Sequence, residues 1–145
     1  MIAIVRPDGW NLPLLVHVGG AMLLVGTLVV VPVVMAGALR HGDDAAVLSR
    51  LACRSLLLGV LPSYLVMRVG AEWVASEEAV GDPTWVGIGY MTSDAGLLLI
   101  LIATGLAWRT QRRGVGGPAR AVVVLAGVLL VAYAVTIWAM SAKPG

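Results

Sequence analysis

Charge is what this sequence has least of. Charged residues fill 12% of its 145 positions, about half the share of an ordinary soluble domain. A water-facing surface cannot be covered at that level, which excludes a soluble globule. There is one cysteine, Cys53, so no internal disulfide is possible. Walker-type, zinc-type and dinucleotide-binding glycine patterns are absent. The run Gly114-Val115-Gly116-Gly117 is short and flanked by arginine, and reads as a flexible loop rather than a phosphate cradle. Ser63 and Ser93 have no histidine near them on their own helices, so hydrolase chemistry has no support. No catalytic residue set emerges, and the chain reads as non-enzymatic. The net charge of +2 is small and its basic residues sit at helix ends. That pattern points to membrane topology and away from nucleic acid.

Apolar runs dominate instead, at 59% hydrophobic residues. Stretches of about 20 such residues cross a bilayer core of about 30 Å. Four are present, at about 11–39, 45–76, 84–109 and 118–141. The expectation is an all-α fold, a four-helix transmembrane bundle running up-down-up-down, with residues 1–145 as one integral membrane domain. Ala36-Gly37-Ala38 resembles a signal-peptide cleavage site. The apolar run before it exceeds the ~7–15 residues of a signal core, however, and its basic flank is only Arg6 beside Asp8. It reads as a true span. Pro7-Asp8-Gly9 signals a turn before Trp10, Pro32 and Pro62 are expected to bend their helices, and Asp43 or Asp44 is expected to cap the second. Pro118 suits the first turn of the fourth helix. Helices one and three share little beyond glycine, so no internal repeat is indicated.

The arginines give an orientation. Arg40, Arg50, Arg54, Arg109, Arg112, Arg113 and Arg120 collect on one side. Arg6, Lys143 and the acidic loop Glu77 to Asp82 fall on the other. The positive-inside rule places the first set in the cytoplasm and both termini outside, in the plasma (inner) membrane. Trp10, Trp73, Trp85 and Trp138 then share the outer interface.

Below that interface lies a layer of polar residues. Counted from the nearest tryptophan at ~1.5 Å per residue, His17, Arg68, Asp94, Tyr133 and Thr136 sit roughly 3–14 Å deep. Tyr64, Arg68 and Glu72 repeat every four residues and share one helix face, as do Tyr90 and Asp94. His17 shares a stripe with Gly20, Leu24 and Thr27, small residues among them allowing close helix approach. Ionisable groups at such depth are paired or functional. Arg68 with Asp94 is the expected pair, with Glu72 competing. The pair either locks two helices together or serves a ligand, a proton or an ion. His17 has three readings: a neutral imidazole bonded to a backbone carbonyl or to Tyr133, a haem or metal ligand, or a proton relay. His41, the only other histidine, is ~36 Å away along the same helix. Met67 and Met91 lie at the depth of His17, and thioether with imidazole suits Cu(I).

One resemblance is carried by Leu15-Val16-His17-Val18-Gly19-Gly20-Ala21, Gly26, the Arg40–Asp44 loop, Arg50 through Arg54, and Pro62. This pattern resembles small four-helix bacterial membrane proteins of uncharacterised function. In its first helix it is similar to the copper-resistance D-type membrane domain and to HemJ-type protoporphyrinogen oxidase. The latter resemblance implies haem ligation by His17. The chain departs from that pattern in having no intramembrane lysine and no second intramembrane histidine.

The functional expectation is a polar pocket near the outer face. His17, Arg68 and Asp94 would line it, with Tyr64, Glu72, Tyr90 and Tyr133 in support. It would hold haem, a quinone-like head group or a metal ion such as copper. Two alternatives stay open: a structural subunit of a larger membrane complex, and a proton-coupled or ion-conducting homo-oligomer.

Overall fold

The computed structural model describes residues 11–78 and 84–142. The turn at Pro7-Asp8-Gly9, Trp10, the loop residues 79–83 and Lys143 lie outside that range. The described residues contain five α-helices: α1 (Asn11–Arg40), α2 (Ala45–Arg54), α3 (Leu61–Glu78), α4 (Thr84–Arg113) and α5 (Gly117–Ala142). A 3₁₀ turn, Gly42–Asp44, leads into α2, and a π-helical segment, Ser55–Val60, joins α2 to α3. Four stretches are long and apolar enough to cross a membrane: Leu12–Arg40, Gly42–Glu77, Val86–Arg113 and Gly117–Ala142. The chain is therefore an all-α four-helix bundle of the multi-pass membrane type.

The spans are arranged as a ring with one weak side. α1 packs along the whole second span and against α5, and α5 packs along α4. The ring closes between α4 and α2, at the arginine end. Towards the opposite end α4 barely meets α3.

Lipid tails are as apolar as leucine, so burial in water does not drive these helices together; close packing must do so. The seam of α1 with the second span shows how. A Cβ on Gly20 would lie 2.5 Å from the Met67 nitrogen, and one on Gly70 would lie 2.5 Å from the His17 nitrogen. Further along, a Cβ on Gly59 would meet Thr27 at 3.0 Å. These pairs run in opposite directions along the two chains, so the helices are antiparallel and touch backbone to backbone. Gly59, Met67 and Gly70 are the matching positions on the second span.

From mid-bundle to the arginine end the core is mostly apolar, with Ser49 and Thr110 as its buried polar residues. Leu28, Val31, Met35, Leu56, Val60, Ile100, Val122 and Ala126 are fully buried. Cys53 is buried among them as a small packing residue.

Several local expectations change. Pro62 does not break the second span. Ahead of it the turn widens, and the Leu61 N–H bonds the Leu56 carbonyl five residues back. A π turn accommodates the missing proline donor and relieves the ring's clash with the preceding turn. Pro32 sits inside an unbroken α1. Asp44 occupies the N-cap of α2, but neither its side chain nor that of Asp43 makes a capping bond. The third helix runs to Arg113, not Arg109. Arginines in a last turn complement the helix dipole and extend it, and Arg112 stacks on Trp108 at 4.0 Å. Gly114, at φ 87°, then ends the helix in the left-handed region that glycine favours. The second helix ends at Glu78 rather than Ser76. Pro118 lies in the first turn of α5, as its fixed φ favours.

Candidate functional site: a polar crevice between the second and third spans

The polar layer separates into three groups. The first crosses the weak side of the ring. The Arg68 guanidinium lies 3.1 Å from Glu72 and 3.5 Å from Asp94. Spacing of four residues puts Arg68 and Glu72 on one face of α3, while Asp94 arrives from α4. The Tyr90 hydroxyl donates to Glu72 at 3.3 Å, and Arg68 stacks over the Tyr90 ring at 4.7 Å. Both partners expected for Arg68 are thus engaged, and Glu72 is the nearer. The cluster is not sealed: side-chain exposure is 27% for Arg68, 55% for Glu72 and 68% for Asp94. It forms an open crevice with two carboxylates, one guanidinium and one phenol.

The second group is internal. Tyr64 is buried and receives a hydrogen bond from Ser93 at 3.2 Å. Tyr133 is 5% exposed, and its hydroxyl has no partner among the described residues. It is seated against Gly96, where a Cβ would come within 2.6 Å of the hydroxyl oxygen. Three hydroxyl side chains from three spans therefore meet inside the bundle. In the sequence Ser93 was weighed only as a nucleophile and not as part of the polar layer, although it stands beside Asp94 and one turn from both Tyr90 and Gly96.

The third group is His17. Its Nδ1 lies 3.0 Å from the Met67 carbonyl. A carbonyl only accepts, so Nδ1 carries a proton and donates it here. Of the partners expected for His17, the backbone carbonyl is the one present. Gly70, which the sequence reading also missed, brings the two backbones together here. Its signal was its spacing from Gly59, eleven residues or three helical turns.

His17 thus belongs to the α1–α3 seam and has no hydrogen bond or ion pair with Arg68 or Asp94. The Nδ1–H to carbonyl arrangement resembles that of many ligating histidines. The seam itself has no room for a haem, however: the backbones of α1 and α3 are in contact at Gly20 and at Gly70. Met67 is buried, but Met91 is 77% exposed and faces out of the bundle. Those two methionines and His17 do not form one donor set. Among the described residues no group of three His, Cys, Asp or Glu side chains is placed to hold a metal ion.

Two clefts lie outside these groups. One, of about 290 Å³, is a shallow apolar groove on α4 and α5 beside Gly96 and Leu129. The other, of about 570 Å³, opens at the arginine end.

No family model matches this chain, and no curated protein or solved structure matches it.

Proposed function

We propose that this chain is a non-enzymatic membrane protein that holds the polar head group of a lipid-soluble, quinone-like molecule. The binding place is the crevice of Arg68, Glu72, Tyr90 and Asp94. With the arginine-rich end in the cytoplasm, as the positive-inside rule directs, the crevice lies in the outer half of a bacterial plasma membrane. The observation that carries this reading is the openness of the ion cluster. An ion pair serving only to lock two helices is best closed off from its surroundings. Here α3 and α4 stand apart and leave two-thirds of Asp94 uncovered. At that depth an uncovered carboxylate requires polar company. A head group with both donors and acceptors supplies it, and Arg68 and Tyr90 offer donors to its carbonyl oxygens. The same opening faces sideways, the route by which a lipid-soluble molecule arrives.

The test is a titration of the protein in nanodiscs with a short-chain quinone, followed by quenching of Trp73, the residue after Glu72. Saturable quenching is expected, weakened at least tenfold by Arg68→Gln and by Asp94→Asn. Quenching that rises linearly and ignores both substitutions sinks the proposal.

A second reading is favoured by the exposure of Asp94 together with Met91. Both face the membrane on one side of α4, a surface suited to a polar contact with another subunit. Co-purification of a fixed partner, lost on Asp94→Asn, would select it. Conduction through a single chain has less support. The hydroxyls of Tyr64, Ser93 and Tyr133 lead inward only to the fully buried apolar layer of Leu28, Val60, Ile100 and Leu129.

A further inference from the structure

The arginine end carries a cleft that the crevice does not involve. Its volume of about 570 Å³ falls within the ~300–1,000 Å³ typical of small-ligand sites. Leu39 from α1, Ala46 and Ser49 from α2, Gln111 from α4, Val115 from the glycine loop and Arg120 from α5 line it. All four spans contribute, at the level where α1 ends and α5 begins. The cleft therefore straddles the boundary between apolar spans and polar turns.

Its lining is divided. Leu39, Ala46 and Val115 are apolar. Arg120 and Gln111 provide N–H donors. The Ser49 hydroxyl is spent on the Ala46 carbonyl at 3.1 Å, so it offers only lone pairs. Charge is one-sided as well. Seven arginines stand at this end against Asp43 and Asp44, and among the described residues Arg120 has no carboxylate partner. The balancing negative charge is not supplied by the described protein.

We propose that this cleft binds the phosphodiester head group of an anionic phospholipid from the leaflet at the arginine end. The Arg120 fork pairs with two phosphate oxygens, as guanidinium geometry favours. The Gln111 amide donates a further hydrogen bond. The glycerol and upper acyl carbons lie on Leu39 and Val115, and the chains continue along the lipid-facing surface. Basic pockets between transmembrane helices suit such head groups. A free phosphate would answer Arg120 equally well but leave the apolar lining uncovered, which is why the lipid is favoured. The glycine loop that reads in sequence as a mere connection becomes one wall of the site. The proposal is independent of the crevice and its ligand.

The experiment is native mass spectrometry of the whole chain in neutral detergent, titrated with short-chain phosphatidylglycerol, phosphatidylcholine or inorganic phosphate. One phosphatidylglycerol should bind saturably, at least tenfold more tightly than phosphatidylcholine, and millimolar phosphate should not displace it. Arg120→Gln should weaken binding about fivefold, the worth of one basic residue at an anionic surface. Arg50→Gln removes the same charge outside the cleft and should change affinity less than twofold. Ala46→Leu fills the cleft without altering charge and should weaken binding at least as much as Arg120→Gln. Equal losses from Arg50→Gln and Arg120→Gln would mean diffuse attraction and overturn the site. So would equal affinity for the two lipids, or displacement by phosphate, which would mark a soluble-anion site. Arg120 is exposed, so its variant tests the proposal even if the filled cleft disturbs folding.

Discussion

The two halves of this bundle are built on different principles. In the basic half, the core from Leu28 to Ala126 is apolar and without exposed surface, and the ring of spans is closed. In the polar half, α3 and α4 stand apart, charged side chains line the gap, and a buried phenol goes unanswered. One half is a packed interior that opens only in the cleft at its arginine end; the other is open along the gap between two spans. Packing density, not polarity alone, separates them. The α1–α3 seam runs through the polar half yet brings two backbones into contact at Gly20 and Gly70. The gap on the other side of α3 is therefore a property of that interface and not of a loosely made end.

Four substitutions test this division. The largest effect is expected at the seam. Gly70→Leu would force α1 and α3 apart at His17 and cost at least about 3 kcal/mol, the upper range of overpacking. Thermal unfolding in detergent measures it, and an unchanged midpoint would mean the backbones do not touch. Next comes the basic half, where Leu28→Ala should cost about 2–3 kcal/mol through loss of packing. A cost under about 0.5 kcal/mol there would show that this half is as loose as the other. Asp94→Asn should cost under about 1 kcal/mol, since the pair is open and weakly held. If it unfolds the protein, the crevice is a lock and not a receptacle. Smallest is Tyr133→Phe, expected to be neutral or to stabilise by up to about 1 kcal/mol, because an unpaired hydroxyl is removed. A clear loss of stability would reveal a partner for that hydroxyl.

The four spans were legible in the sequence because charge is nearly absent from three of them and sparse in the second, and no tertiary knowledge is needed to see that. The grouping of Tyr64, Arg68 and Glu72 was legible because four-residue spacing is a property of a single helix. So was Tyr90 with Asp94. Which helices would then stand apart was not. The gap between α3 and α4 depends on how four cylinders settle against one another, and hydropathy carries no trace of it. His17 illustrates the same limit. Its depth matched that of Arg68, but depth does not fix direction. Gly70 decided direction by admitting α1 to the surface of α3. The end of α4 was misjudged for a simpler reason. Loss of apolar character after Arg109 suggested an end there, whereas arginines in a last turn sustain a helix to Arg113.

The π turn at Ser55–Val60 has a consequence for the second span as a whole. A π turn inserts one residue into the helical count, and one residue is about 100° of rotation. Everything beyond it is re-phased relative to everything before. α2 can thus turn one side to α4 while α3 turns its glycine stripe to α1 and its Arg68–Glu72 edge to the gap. In a sequence-level sense, positions 55–60 act as a frameshift written into the structure. The two faces of this span are not bound to a common register. Removal of a single residue there would leave hydropathy and length almost unchanged, yet it would turn Arg68 and Glu72 away from Tyr90 and Asp94.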